Sequence, residues 1–296
     1  MTYIFIQMPL LADIQINNNI RYYRLYPWEN GMVNWEGLSR NTNDRAIELL
    51  EQYPDNIDWG YVSENPNNRA LDLLEKNMDK IFWVYLSFNI NDRAIELLSK
   101  HPEKIAWYQL SRNTNDKALD LLLKNQDKIN WVELSKNTND KALDVLAQNL
   151  DKIHWRKLSN NINDQAIEIL TQNPDKIDWD YLSFNINDKA LDLLADNPDK
   201  IHWRNLSLNS NDRAIELLLK NPDKIDWVHL SFNVNNKALD LLADNPNKIF
   251  WSGLSQNVND RAIELLEQNK DKIYWPVLFD NPNDNLWYNK TEYVLK

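Results

Sequence analysis

The sequence predicts an all-α fold: an α-solenoid of about eleven 24-residue, two-helix repeats closed by terminal caps. Three observations predict it. Tryptophan recurs every 24 residues without a slip, at Trp35, Trp59, Trp83, Trp107, Trp131, Trp155, Trp179, Trp203, Trp227, Trp251 and Trp275. An apolar run, "AIELL", "ALDLL" or a near variant, follows each of the first ten at a fixed distance. Asparagine stands six residues after every one of these tryptophans, from Asn41 to Asn281. A strict period of this length marks stacked supersecondary units, and it overrides the two domains that 296 residues would otherwise suggest. The array is expected over residues 30–281, as one continuous domain. An N-terminal capping segment, 1–29, and a C-terminal cap, 282–296, are expected to flank it. Trp28 and Trp287, the two tryptophans off the register, fall in those caps.

The elements are justified in order along one unit, with the tryptophan numbered zero. The first helix is signalled by "PDKI" and continues into "WxxLS". Proline suits a first helical position because its missing N–H has no intrahelical partner there. Aspartate beside it complements the positive end of the helix dipole. Ile at −2 and Trp at zero do not share one α-helical face, so part of this helix is expected to be 3₁₀. The second helix is "NDRAIELL" or "NDKALDLL". Ala190, Leu193 and Leu194 fall at i, i+3 and i+4, with Leu191 beside them, as one apolar face. Asn187 is the expected N-cap, and Asp188 opens the first turn.

The breaks are written in asparagine, since the chain has only four glycines. The column at +6 is expected to adopt the left-handed conformation that ends helices. A second asparagine column at +18, for example Asn173, Asn197 and Asn221, stands ready to end one helix and begin the next. Helices of about ten residues are marginal alone, so the units should stand by burying a shared Trp, Leu and Ile core. "AIELL" and "ALDLL" mostly alternate, which points to growth by copying pairs of units.

The phrase "NPDKIDWxxLSxN" followed by "A[IL]xLL" resembles the tandem Trp-containing repeats in proteins of giant DNA viruses, of the mimivirus and chlorella-virus kind. The resemblance covers residues 30–281. In that family Asn-Pro-x is followed directly by Ala, whereas "NPNNRALDLL" at Asn65 and "NINDKALDLL" at Asn185 carry two more residues. The resemblance implies no activity. It implies a viral interaction protein, placed in the cytoplasm of an infected host cell or in the virion.

Composition narrows the function classes. A net charge of −11 argues against a nucleic-acid or anionic-membrane surface, which needs clustered Lys and Arg. Without cysteine there is no disulfide, thiolate metal site or Cys nucleophile. The apolar start "MTYIFIQMPLLADIQ" lacks a basic leader region, so secretion is not expected, and no run of about 18 apolar residues offers a membrane span. Of four histidines, His154 and His202 occupy the varying −1 position and are expected to be solvent-exposed. The ten serines at +4, Ser39 to Ser255, are identical copies. A catalytic serine needs one base and one oxyanion pocket, so helix-terminus hydrogen bonding is the better reading. Carboxylates at +9 and +13 sit with Lys or Arg at +10, which predicts charge ladders between neighbouring units rather than an acid–base pair. The tryptophan column reads as a core ladder. No catalytic, cofactor-binding or metal-ligating residue is expected, and the chain is not expected to be an enzyme.

In repeat proteins the scaffold positions repeat and the binding positions vary. Here −1, +1, +2 and +5 vary, all assigned to the first helix, and +1 and +5 lie one turn apart. Large apolar or aromatic residues at these positions form the candidate partner-binding set: Val84, Tyr85 and Phe88, then Tyr181, Phe184, Leu208, Val228, His229 and Phe232. Phe184, Leu208 and Phe232 come from consecutive units. The alternative is that position +5 faces the next unit and fills gaps. The expected function is a non-enzymatic scaffold holding a protein partner of unknown identity along this face. A structural or virion-associated rod that self-assembles is the second reading. The tail "NLWYNKTEYVLK" reads as a closing cap and favours a monomer.

Overall fold

The computed structural model describes residues 33–278 together with 281 and 283. The expected capping segments, Trp28 and Trp287 therefore lie outside the described residues; Asn283 alone of 282–296 lies within them. Among the described residues the chain is helical throughout, 69% helix with no strand, in a Trp-led pattern of about 24 residues. It divides into two compact units, Met1–Glu133 and Leu134–Lys296. Each is a stack of the same short elements, an α-solenoid in the small.

A repeat contains three pieces rather than two. In the second unit they are the 3₁₀ turn Pro174–Lys176, the short α-helix Trp179–Leu182 and the longer α-helix Asp188–Ala195. The expected first helix is thus split. Ile177 closes the turn in an extended conformation, φ −64° and ψ 124°, and Asp178 then caps the tryptophan helix with its carboxylate on the Tyr181 N–H. The physical reason is the mismatch already visible between positions −2 and zero. Residues two apart face the same side only along extended backbone. The break lets the isoleucine enter the core, as Ile153, Ile177, Ile201, Ile225 and Ile249 all do.

The longer helix forms as its sequence dictates. Asn187 Oδ1 accepts from the Lys189 N–H at 2.8 Å, and Asp188 occupies the first turn. Its buried face is Ala190, Leu191 and Leu194, with Leu193 half-buried. Leu at +3, Ala at +11, Ile or Leu at +12 and Leu at +15 are the columns of the core; Leu182, Ala190 and Leu194 are wholly buried. The tryptophans are not among them. All eleven are half-buried at the first position of their helices, neither an exposed strip nor the centre of the core.

The asparagines do not do what was expected of them. At +6, Asn209 ends its helix at φ −70° and ψ 120°, extended and not left-handed. At +18, Asn173 lies at φ −131° and ψ 62°, and its Nδ2 donates to the Ile169 carbonyl, closing the helix by a side-chain bond. The +6 side chain is buried and turned toward the preceding repeat. Asn185 Nδ2 donates to the carbonyls of Ser159 (3.1 Å) and Asn161 (2.9 Å), and its Oδ1 accepts from the Asn187 N–H (2.9 Å). Asn209, Asn233 and Asn257 repeat the pattern in the second unit, and Asn65, Asn89 and Asn113 in the first. A short amide carries two donors and an acceptor at a fixed angle. A left-handed cap would have turned it outward, whereas extended backbone delivers it to the carbonyls left free by the preceding helix end.

Candidate interaction surface

The polar columns of the repeat are consumed by the fold. Ser183, like Ser159 and Ser207, donates its hydroxyl to the tryptophan carbonyl four residues earlier (2.8 Å) and accepts from the next repeat's −1 N–H, here His202 (3.0 Å). These hydroxyls are wholly buried. Asn at +8 forms a second ladder: Asn187 Nδ2 donates to the Ile162 carbonyl (2.8 Å) and to Asp164 Oδ1 (2.7 Å) of the preceding repeat.

The charges form the expected ladders. Lys189 Nζ lies 3.1 Å from Asp164 Oδ2 and 2.8 Å from Glu168 Oε1, and Lys117 and Lys237 repeat this against Asp92 with Glu96 and Asp212 with Glu216. Arg69 reaches further along the preceding helix, to Glu48 at +13 and Glu51 at +16. Asp92, Asp164 and Asp212 are held below the ordinary carboxylate range, first by the asparagine amide of the next repeat and then by its lysine. The three lysines are raised in turn by these carboxylates, Glu96 and Glu168 contributing most to Lys117 and Lys189, and Asp212 to Lys237. All these groups are exposed, so each pair adds little on its own. Among the described residues no group of three or more His, Asp or Glu is placed to hold a metal ion, and no helix is long and apolar enough to cross a membrane.

The candidate residues fall in both units. In the first, Val84 and Tyr85 are exposed, and Tyr85 packs beside Phe82 (6.2 Å between centroids) and over Gly60. Phe88 is half-buried below the Arg112 guanidinium, 5.2 Å from its ring. In the second, Tyr181 is half-buried beneath Arg156 at 4.4 Å, and Arg156 also reaches Asp178. Phe184 is 41% exposed, Leu208 is half-buried, and Val228 is exposed. Phe232 is half-buried against Phe250, 6.0 Å away, and lies over Gly253, where a Cβ would come within 3.0 Å of its ring. Position +5 therefore does reach across to the next repeat, as Phe232 shows, yet Phe184 keeps much of its surface.

Two placements differ from expectation. The tryptophan helices at Trp83–Leu86, Trp179–Leu182 and Trp227–Leu230 stop at +3, so Phe88, Phe184 and Phe232 stand just past a helix end. Phe184 N–H there bonds the Tyr181 carbonyl, three residues back. And the histidines at −1 are half-buried: His202 Nδ1 accepts from the Asn205 N–H as an N-cap, because position −1 precedes a helix start.

His229 links two repeats. Its Nε2 accepts from Arg204 Nε at 2.7 Å, its backbone N–H donates to Asp226 Oδ1 at 3.0 Å, and its Nδ1 lies 2.8 Å from the same oxygen. Burial works against the Asp226 charge, but the side-chain and backbone bonds from His229 outweigh it and leave the carboxyl below its ordinary range.

Sequence reasoning passed over position +7. Ile90, Ile162, Ile186, Val234 and Val258 are 45–54% exposed, all more than Tyr85 and Phe184 of the chosen set. The column is mostly Thr, Ile and Val, so it reads as a uniform extended linker. The usable signal was its neighbour: with Asn at +6 turned inward on extended backbone, +7 must face out. Compared with known proteins, the chain matches no family model, no curated protein and no solved structure.

Proposed function

We propose that the chain is a non-enzymatic repeat scaffold that holds a protein partner along the outward, varying positions of its repeats. One observation carries this reading. The invariant polar residues, Ser at +4 and Asn at +6, are buried and bonded within the stack, while exposed large apolar side chains gather at positions that vary, such as Val84, Phe184 and Val228. Aromatic and aliphatic residues grouped on a surface are what interface centres are made of. The resemblance of the repeat to those of giant DNA virus proteins supports an infected cell or a virion as the setting.

The test is molar mass by light scattering over a wide concentration range, on the native chain and on Phe184→Ser/Phe232→Ser. The reading expects a monomer near 35.2 kDa in both, and a partner retained from host lysate by the native chain but not by the variant. Growth in mass with concentration that the two substitutions abolish would replace it with a self-assembling structural protein.

A further inference from the structure

Resting on that reading, we propose the chemistry of the partner: the second unit docks a cationic amphipathic α-helix along a strip formed by positions +5 and +7. The backbone between the two α-helices of each repeat is extended around Asn209 and Asn211, and likewise at Asn257 and Asn259. Asparagine at +6 points into the stack on extended backbone, so +7 after it points out. Ile162, Ile186, Val234 and Val258 stand in the second unit at 45–51% exposure, and Phe184 joins Ile186. Ser210 leaves one gap in the row. Extended backbone favours β-branched residues, but it does not demand apolar ones, since Thr42, Thr114 and Thr138 fill the same position. Apolar side chains set in a row and left half in water mark a surface meant to be covered.

Charge and spacing choose the occupant. Residues 160–260, the span that carries the strip, hold sixteen acidic side chains against nine Lys and Arg, so most of the chain's −11 charge falls in this span. Asp164 and Asp212, two residues past the +7 position, are matched by Lys189 and Lys237, so the attraction comes from the net excess of the span. A second copy would bring the same negative field and be repelled, whereas a cationic partner is drawn in. Helices stacked face to face are about 8–10 Å apart, which sets the step from one apolar residue to the next. Seven residues of an α-helix rise about 10.5 Å, so one apolar residue per heptad meets one repeat each. An extended peptide covers that step in about three residues, and an odd number turns alternate side chains away from the strip. The partner is accordingly a helix, apolar on one stripe and rich in Lys or Arg on its flanks.

The experiment is a fluorescence-anisotropy titration of the full chain against a helical peptide of about 28 residues, built of Ala and Lys with Leu at every seventh position, in about 0.15 M salt. One comparator has the same composition with its leucines spread round the helix; another has Glu for Lys. The native chain is expected to bind the patterned Lys peptide about tenfold or more tighter than either comparator, and Ile162→Ser/Ile186→Ser/Val234→Ser/Val258→Ser to lose that margin. Equal binding of the spread-leucine peptide, equal binding of the Glu peptide, or an undiminished margin in the variant would each overturn the proposal. Should the variant melt early, hydrogen exchange on the native chain with the patterned peptide decides. Protection centred on residues 160–260 supports the strip, and protection elsewhere refutes it. No native partner is needed, so failure here with a partner still lost from Phe184→Ser/Phe232→Ser removes only the helix; self-assembly in the mass measurement removes the scaffold reading itself.

Discussion

Asn185→Ala should be among the most damaging single substitutions that leave the apolar core untouched. The amide is almost wholly buried and makes three hydrogen bonds, to the Ser159 and Asn161 carbonyls and from the Asn187 N–H. A neutral hydrogen bond contributes about 0.5–1.5 kcal/mol net, and a buried group left without a partner costs about 1–3 kcal/mol. Alanine removes all three bonds and leaves the Asn187 N–H without its acceptor. The Ser159 and Asn161 carbonyls lose a donor. The expected loss is about 3–4 kcal/mol. The assay is urea unfolding followed by tryptophan fluorescence and by helical circular dichroism together, because a repeat array can unfold in parts and the two probes would then diverge. Asn160→Ala is the comparison, since Asn160 is exposed and offers no such ladder. It should change stability by less than about 0.5 kcal/mol. If Asn185→Ala also stays within that margin, the ladder contributes nothing net and the account of the +6 column is wrong.

Gly253→Val should be costly for a different reason. Its side chain would meet the Phe232 and Phe250 rings at 3.0 Å, so a loss of about 1–3 kcal/mol is expected, with lowered melting temperature and freer motion of Phe232 in its aromatic NMR signals. Leu194→Ala, at a wholly buried core position, should cost about 2–5 kcal/mol in the same urea assay. Acid should weaken the stack. Asp92, Asp164 and Asp212 have folded-state pKa values below the ordinary carboxylate value, so their contribution is present above about pH 4 and is lost as the pH falls through the depressed values. A melting temperature flat from neutral pH to well below that range would refute the ladder's role. Long-range nitrogen–proton NMR should find His229 at neutral pH with its proton on Nδ1, since Nε2 accepts from Arg204; the Nε2–H form would break the Arg204–His229–Asp226 chain.

Much of this was legible in the sequence because a repeat states each rule many times. The 24-residue period fixed the class of fold, and Ala, Leu and Leu at helical spacing located the longer helix with its Asn187 cap. Asp at +9, Lys or Arg at +10 and Asp or Glu at +13 announced the charge ladders, since partners one repeat apart are neighbours in any regular stack. Serine at +4 reads as a helix-end hydrogen bond, because ten identical copies cannot each own a base, and Ser183 makes that bond to the Trp179 carbonyl.

Other features required the tertiary structure, and the reason is common to them. Local sequence gives the preferences of a residue with respect to its own backbone, while the deciding partners here sit in the next repeat. Asparagine at +6 suits a left-handed cap locally, but the free carbonyls of the preceding helix end draw its amide inward on extended backbone. Tryptophan looked like core by its invariance and is half-buried, because it opens its helix and the leucine three residues later takes the centre. Phe232 and Phe184 occupy the same column, yet Phe232 has Gly253 and Phe250 beside it and is half-buried, whereas Phe184 stays exposed. Position +7 looked like linker until its inward neighbour showed which way it must face. The period and pattern of residues specify the repeat and its helices; the stacking of each repeat on its neighbour settles which side chains remain for a partner, because burial is a property of the neighbour as much as of the residue.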